Sequence, residues 1–240
     1  MQACKLKRLL IRTGLLAVML GVLSATGCDR PEAADNRPAA PGDGVIQGRI
    51  IFSGAAPASK IIPGSPLIPD ESIVVGSAGG LKNVIVFLKD APKASFVLQS
   101  PAILDQIKCV YTPHVVAVQT GQTLRLKSSD AMMHNVHLKC LVNPDANYGF
   151  PTAGQHDIAL SSAEAPFPVR CDVHPWMGAW IGVFDHPWFA VTGEDGKFRI
   201  DHVPPGRYTL VAWQEVLPQQ EQQIVVGASP TEADFTFQAP

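Results

Sequence analysis

The sequence predicts an all-β chain folded as two β-sandwiches, on three observations. From Val45 onward short runs alternate apolar and polar residues, and no stretch of convincing length carries a helical period. Glycine, proline and serine separate those runs at the spacing of sheet proteins. Beyond Phe184 the texture changes and a second series of strands and turns begins.

The amino terminus sets the compartment. Residues 1–12 carry Lys5, Lys7, Arg8 and Arg12 and no acid, and Gly14–Leu23 is an apolar run too short to span a bilayer comfortably. A basic start followed by such a run is the pattern of a secretory signal, here residues 1–27. Its removal takes four of the 19 Lys and Arg and none of the 21 Asp and Glu, leaving a formal charge of about −6. An acidic exported chain without a basic cluster is not a nucleic-acid binder. Residues 28–44 are rich in Pro, Ala and Gly and poor in apolar side chains, which predicts a disordered tether.

In the folded part, Val45–Phe52 places Ile46, Ile50 and Phe52 on one side and Gln47 and Arg49 on the other. Asn83–Leu88 is the next strand, with Val84, Val86 and Leu88 aligned. Val115–Val118, a Thr-Gly turn and Thr123–Lys127 predict a hairpin, as does Phe189–Ile200 around Asp195-Gly196. Further strands are expected within Val203–Trp213, at Gln223–Val226 and at Phe235–Phe237. A carboxy-terminal piece of some fifty residues is small to hold a core alone, so pairing with the early strands is expected. The predicted organisation is a first set of strands over 45–92, an inserted sandwich over 93–186, and the rest of the outer sandwich over 187–240; a continuous amino-terminal extension followed by a separate carboxy-terminal module is the alternative.

The chemistry concentrates in Val169-Arg-Cys-Asp-Val-His-Pro-Trp-Met-Gly178. Phe167–Cys171 alternates as a strand end, Pro175 stops pairing, and Ala179–Phe184 resumes extended structure. Cys171, His174 and Met177 therefore sit on a tight loop between two strands. Met133–His137 supplies a further imidazole from a neighbouring strand. One thiolate, two imidazoles and a weak axial thioether are the ligand set of a blue-copper electron-transfer site. Zinc also takes Cys and His, but a Met ligand argues against it. Taken singly, Cys171 and Met177 are as well explained as buried apolar residues. Asn135 is placed to donate a hydrogen bond near the sulfur. Cys109 and Cys140 are expected to pair as a disulfide in an oxidising compartment. Two free thiols, or a second metal site with His114 or His137, are the alternatives. His186-Pro-Trp188 repeats His174-Pro-Trp176 without a nearby thiol and reads as structural.

Three resemblances add to this reading. Ala131-Met-Met-His-Asn-Val-His137 and Cys171-Asp-Val-His-Pro-Trp-Met177 resemble the amicyanin type of cupredoxin, over about Ser95 to Phe184. This implies a Greek-key β-sandwich with one type-1 copper held by His134, Cys171, His174 and Met177. It also implies an apolar electron-transfer patch around His174, here Pro175, Trp176, Gly178 and Ala179. The extra Cys109 and Cys140 and the flanking sequence depart from that pattern, so methylamine dehydrogenase does not follow as the partner. Thr192-x-x-Asp-Gly-x-Phe198 with Val203-Pro-Pro-Gly-x-Tyr208 resembles the carboxypeptidase regulatory-like, transthyretin-like module. That module's opening elements appear early, at Gly48–Pro57 and Asn83–Leu88. Ala25-Thr-Gly-Cys28 resembles a bacterial lipoprotein box, which implies lipidation of Cys28 and a membrane anchor; simple signal cleavage and an uncleaved anchor remain the alternatives.

The function expected is a periplasmic, membrane-anchored carrier of single electrons, not an enzyme, serving a c-type cytochrome or a dehydrogenase. A copper-storage or delivery protein would use the same ligands, though five Met in the chain are thin support. An adhesion or carbohydrate-binding protein would work through the second sandwich and need no metal. No Gly-rich phosphate loop and no Gly-x-Ser-x-Gly nucleophile motif suggests catalysis.

Overall fold

The computed structural model describes residues 42–58 and 60–239. The signal at 1–27, Cys28 and most of the expected tether lie outside the described residues.

Strand β1 (Gly44–Ser53) begins one residue before the expected start, and Ile46, Ile50 and Phe52 are buried as the alternation requires. Strand β2 (Ile85–Leu88) follows a long irregular connection. Next come β3 (Ala102–Ile107), β4 (Val110–Thr112), β5 (Val115–Gln119), β6 (Thr123–Ser128) and β7 (His134–Leu138). The central series is completed by β8 (Ala146–Phe150), β9 (Gly154–Ala159), β10 (Glu164–Arg170) and β11 (Gly178–Phe184). These nine strands make two sheets, ordered β5-β11-β10-β7-β8 and β4-β3-β6-β9. Leu104, Leu124 and Leu126 from one and Val136, Leu138, Val169 and Ile181 from the other share one buried cluster.

The chain then continues through β12 (Phe189–Val191), β13 (Lys197–Val203), β14 (Gly206–Trp213), β15 (Gln220–Val226), β16 (Thr231–Glu232) and β17 (Phe235–Gln238). Strand β1 pairs with β13, β16 and β17, whereas β2 pairs with β12 and β14, and β14 with β15. Ile46, Ile50 and Phe237 of the first sheet and Val86, Leu88 and Leu210 of the second lie in another buried cluster. Strands from before residue 92 and after 187 thus pair and share a core.

Neither expected hairpin forms. β5 lies beside β11 in one sheet, while β6 lies between β3 and β9 in the other. The Thr120-Gly121 turn crosses the core instead: Thr120 N donates to Phe184 O at 2.8 Å and Gly121 N to Leu160 O at 2.9 Å. Likewise β12 joins β2 while β13 joins β1. At that crossing Gly196 has φ +71°, and a Cβ there would meet Ile50 O at 2.2 Å. Alternation plus a turn fits a hairpin and a crossing equally well, and the rest of each sheet decides.

The inner and outer strands meet through a small buried group of Ile85, Val115 and Phe184, flanked by Trp180 and Trp213. Glu215, just past β14, accepts from Trp180 Nε1 at 2.6 Å and pairs with His114 Nε2 at 2.5 Å. No helix among the described residues is long and apolar enough to cross a membrane.

Candidate metal centre

The ligand loop is held as a bracket. β10 and β11 are antiparallel neighbours, with Val169 opposite Ala179 and Arg170 opposite Gly178. The alternation reads out directly: Val169 and Cys171 are buried and Arg170 is exposed. Between the strands the loop closes on itself, with Met177 N donating to His174 O at 2.9 Å and Cys171 N to Met177 O at 3.4 Å. On the other side of β10 lies β7, with His137 opposite Arg170. His134 opens β7 and reaches the loop from there.

These elements bring His134, Cys171 and His174 together, with their donor atoms all within 4.8 Å of one another. His134 Nδ1 is 2.9 Å from His174 Nδ1, and Cys171 Sγ is 3.8 Å from the same His174 nitrogen. His134 is fully buried, Cys171 nearly so, and His174 half-buried. Met177 is buried in the cluster that also contains Cys171. The other imidazole of β7, His137, lies elsewhere: its Nδ1 is 3.0 Å from Asp172 Oδ2 and its Nε2 3.0 Å from Asp145 Oδ1.

Asp130 is a member of this site that the sequence reading missed. Its Oδ2 is 2.9 Å from His134 Nε2, which places the ring proton on that nitrogen and leaves the Nδ1 lone pair facing His174 and Cys171. Burial alone would raise the Asp130 carboxyl, but the N–H groups of Cys109 and Lys108 and the His134 ring outweigh it and hold it below the usual carboxylate range. An acid four residues ahead of the histidine was the available signal. Burial lowers the His174 pKa, as does the neighbouring His134 ring, so its neutral, electron-donating form is favoured.

Asn135 acts differently from the expectation. Its side-chain oxygen, not its amide, faces the sulfur: Cys171 Sγ donates to Oδ1 at 3.4 Å, and Asp172 N donates to the same oxygen at 2.8 Å. The amide instead donates to Asp172 Oδ2 at 2.9 Å and Asn147 Oδ1 at 2.7 Å. Asp172, next to Cys171, also accepts from Asn147 Nδ2 at 2.7 Å, so the loop is tied to β7 and β8. The hydrogen bond from His137 holds the Asp172 carboxyl below its ordinary pKa. Below the loop, Tyr111 O–H and Gln106 Nε2 donate to Asn135 O at 2.5 and 3.1 Å.

The expected surface patch is partly corrected. Pro175 is exposed and Trp176 and Gly178 are half-buried, but Ala179 is fully buried because it sits in β11 opposite Val169. Trp176 packs on the His174 ring at 5.0 Å between centroids and donates to Cys109 O at 3.2 Å. The exposed apolar side chains at this end also include Met132, Met133 and Val173.

The expected disulfide is absent: Cys109 and Cys140 are free thiols. Cys109 lies in the turn between β3 and β4, beside the ligand loop. Cys140 follows the far end of β7, six residues from His134, and extended chain carries it roughly 20 Å away. Cys140 is buried, and burial, with Glu164 and Asp145 nearby, pushes its thiol up to about 12. His186 and Trp188 are structural, as expected. His186 Nε2 donates to Leu88 O at 2.8 Å and Nδ1 accepts from Trp188 N at 3.2 Å.

With this geometry in hand, similarities to known proteins are modest. A family model described as polysaccharide lyase family 4, domain II, matches residues 187–233. No curated protein matches the chain. Among solved structures, amicyanin from Paracoccus versutus (Thiobacillus versutus) is 18% identical, with 41% of this chain and 96% of that chain covered and a TM-score of 0.32. A purple cupredoxin from Nitrosopumilus maritimus is 17% identical, with 34% and 98% covered and a TM-score of 0.30. A Cu-containing nitrite reductase from Thermus scotoductus is 11% identical, with 56% and 28% covered and a TM-score of 0.33.

Proposed function

We propose that this protein is an exported type-1 copper protein that carries single electrons, in the manner of a cupredoxin. The observation that carries this reading is the convergence of one thiol and two imidazoles, both presenting Nδ1, at the buried end of a sandwich. The donor set fits copper: a soft sulfur suits the reduced ion and imidazole the oxidised one. Cys171, His134 and His174 would hold the ion, and the Met177 thioether, buried in the same cluster as Cys171, would be a weak further ligand. The bound ion would supply a reversible one-electron couple.

The chain's own residues do the rest. Asp130 holds the His134 ring, Asn135 and Asp172 hold the Cys171 turn, and the β10–β11 bracket fixes His174 and Met177. A site that rigid reorganises little when an electron arrives or leaves. Pro175 and the Trp176 ring, with Met133 and Val173, form the docking rim around His174. A small apolar rim suits brief contact with a c-type cytochrome or a dehydrogenase. The cupredoxin part, 93–186, is read as an insertion in a transthyretin-like module formed by 45–92 and 187–240. The strand pairing of β1 and β2 with the carboxy-terminal strands supports that organisation. Cys28 is read as the lipid-anchored residue of a periplasmic protein.

The test is electrochemical. Copper-loaded protein on an electrode is expected to give a reversible one-electron wave that persists over repeated cycles. An irreversible wave, or copper release on reduction, contradicts electron carriage and favours metal delivery.

A further inference from the structure

A second group of metal-binding atoms lies on the outer side of His134. The β3–β4 turn consists of Lys108 and Cys109, with φ of 54° and 60°. Their N–H groups donate to Asp130 Oδ1 at 2.7 Å and Oδ2 at 2.9 Å. That docking brings Cys109 Sγ to 3.4 Å from Met132 Sδ. Cys109 Sγ, an Asp130 oxygen and a His134 nitrogen also lie within 4.8 Å of one another. Met132 is half exposed and Cys109 half-buried, whereas His134 and Cys171 of the inner cluster are buried.

We propose that Cys109 and Met132 form a separate Cu(I) site at the surface, through which copper reaches the inner cluster. Thiolate and thioether are soft ligands that select Cu(I) over harder ions. A structural zinc site would need four ligands of the Cys, His or carboxylate kind. Asp130 and His134 Nε2 are already hydrogen-bonded to each other, so the sulfurs are the donors left for an ion. Binding replaces the thiol proton, which leaves to solvent, and involves no change of oxidation state. The His134 ring separates the two groups, with Nε2 on the Asp130 side and Nδ1 on the Cys171 side. An ion held by Cys109 and Met132 is therefore one ring away from the inner ligands. Only the direction of transfer rests on the inner cluster being the copper centre proposed above.

The experiment is an anaerobic Cu(I) titration of the full protein against a competing chromogenic chelator. Wild type is expected to bind about two equivalents, and Met132→Leu or Cys109→Ser about one, each with the visible spectrum of the Cu(II)-loaded protein unchanged. Cys171→Ser is expected to keep the outer equivalent. Met132 is exposed, so its variant reports on the site even where Cys109→Ser fails to fold. Loading of the inner site by Cu(I) is expected to be slower in Met132→Leu than in wild type. Two outcomes overturn the proposal: one equivalent in wild type, lost in Cys171→Ser, or unchanged stoichiometry in Cys109→Ser and Met132→Leu. Loss of binding in the Cys109 and Met132 variants, with no effect of Cys171→Ser, supports the outer site and contradicts the inner one.

Discussion

Replacing Glu164 by glutamine should weaken the inner sandwich at neutral pH and leave it almost unaffected in acid. Glu164 opens β10 nearly buried, and its carboxylate gathers the turn after β7. Oε1 accepts from the N–H groups of Leu141 and, at 3.0 Å, Val142. Oε2 accepts from Asn143 N and Asn143 Nδ2, both at 2.9 Å. A glutamine keeps one acceptor oxygen and turns an amide group towards the other pair of donors. Two charge-assisted hydrogen bonds are lost at about 1.5 kcal/mol each, so a destabilisation of about 3 kcal/mol is expected. For a chain of this size that lowers the melting temperature by roughly 6–12 °C. Burial opposes ionisation, but the four N–H contacts outweigh it and hold the folded pKa below the ordinary value. The contribution is therefore complete above the unfolded pKa and disappears as pH falls through the folded one. Urea unfolding of both proteins at pH 7 and at successively lower pH measures this. A gap between the two that is absent at pH 7, or that does not narrow in acid, would refute the reasoning.

Three other substitutions probe the fold. Gly196→Ala forces a side chain into positive φ against Ile50 O and is expected to cost about 2 kcal/mol or more in denaturant unfolding; a neutral result would contradict the crossing geometry. Glu215→Ala removes the partner of both Trp180 and His114, with an expected loss of about 2 kcal/mol by the same assay, whereas a change within about 0.5 kcal/mol would mean that the link carries no stability. Burial lowers the His186 pKa, so its neutral ring stabilises the fold above the unfolded pKa of about 6.5, and that contribution is lost as pH falls. His186→Gln should flatten this part of the pH–stability curve, and a curve of unchanged slope would place the titration elsewhere.

Much of the site was legible because it is local. Cys171, His174 and Met177 occupy one loop, and the alternation of Val169, Arg170 and Cys171 states which side of β10 is buried. His134 needed one long-range pairing, which the neighbouring motif pointed to. Long-range partners were harder. Nothing near Thr120-Gly121 or Asp195-Gly196 says whether the next strand returns beside the last or crosses the core; β11 and β1 decide that, from far along the chain. Cys109 and Cys140 read as a pair by elimination, yet Cys109 stays in the β3–β4 turn on Asp130 while Cys140 follows the far end of β7, and both are free. Ala179 looked like a rim residue by its place in the loop sequence, but the register opposite Val169 turns it inward. Asp130 escaped notice because a carboxylate before a histidine is common, and only the β3–β4 turn packed on it shows its role.

The most direct test of the copper reading is the visible spectrum of the purified protein loaded with Cu(II), beside Cys171→Ser. The predicted result is an intense thiolate-to-copper band towards the red, bleached by ascorbate and absent in the variant. A protein that stays colourless with copper, or whose band survives Cys171→Ser, would contradict a type-1 site at His134, Cys171 and His174.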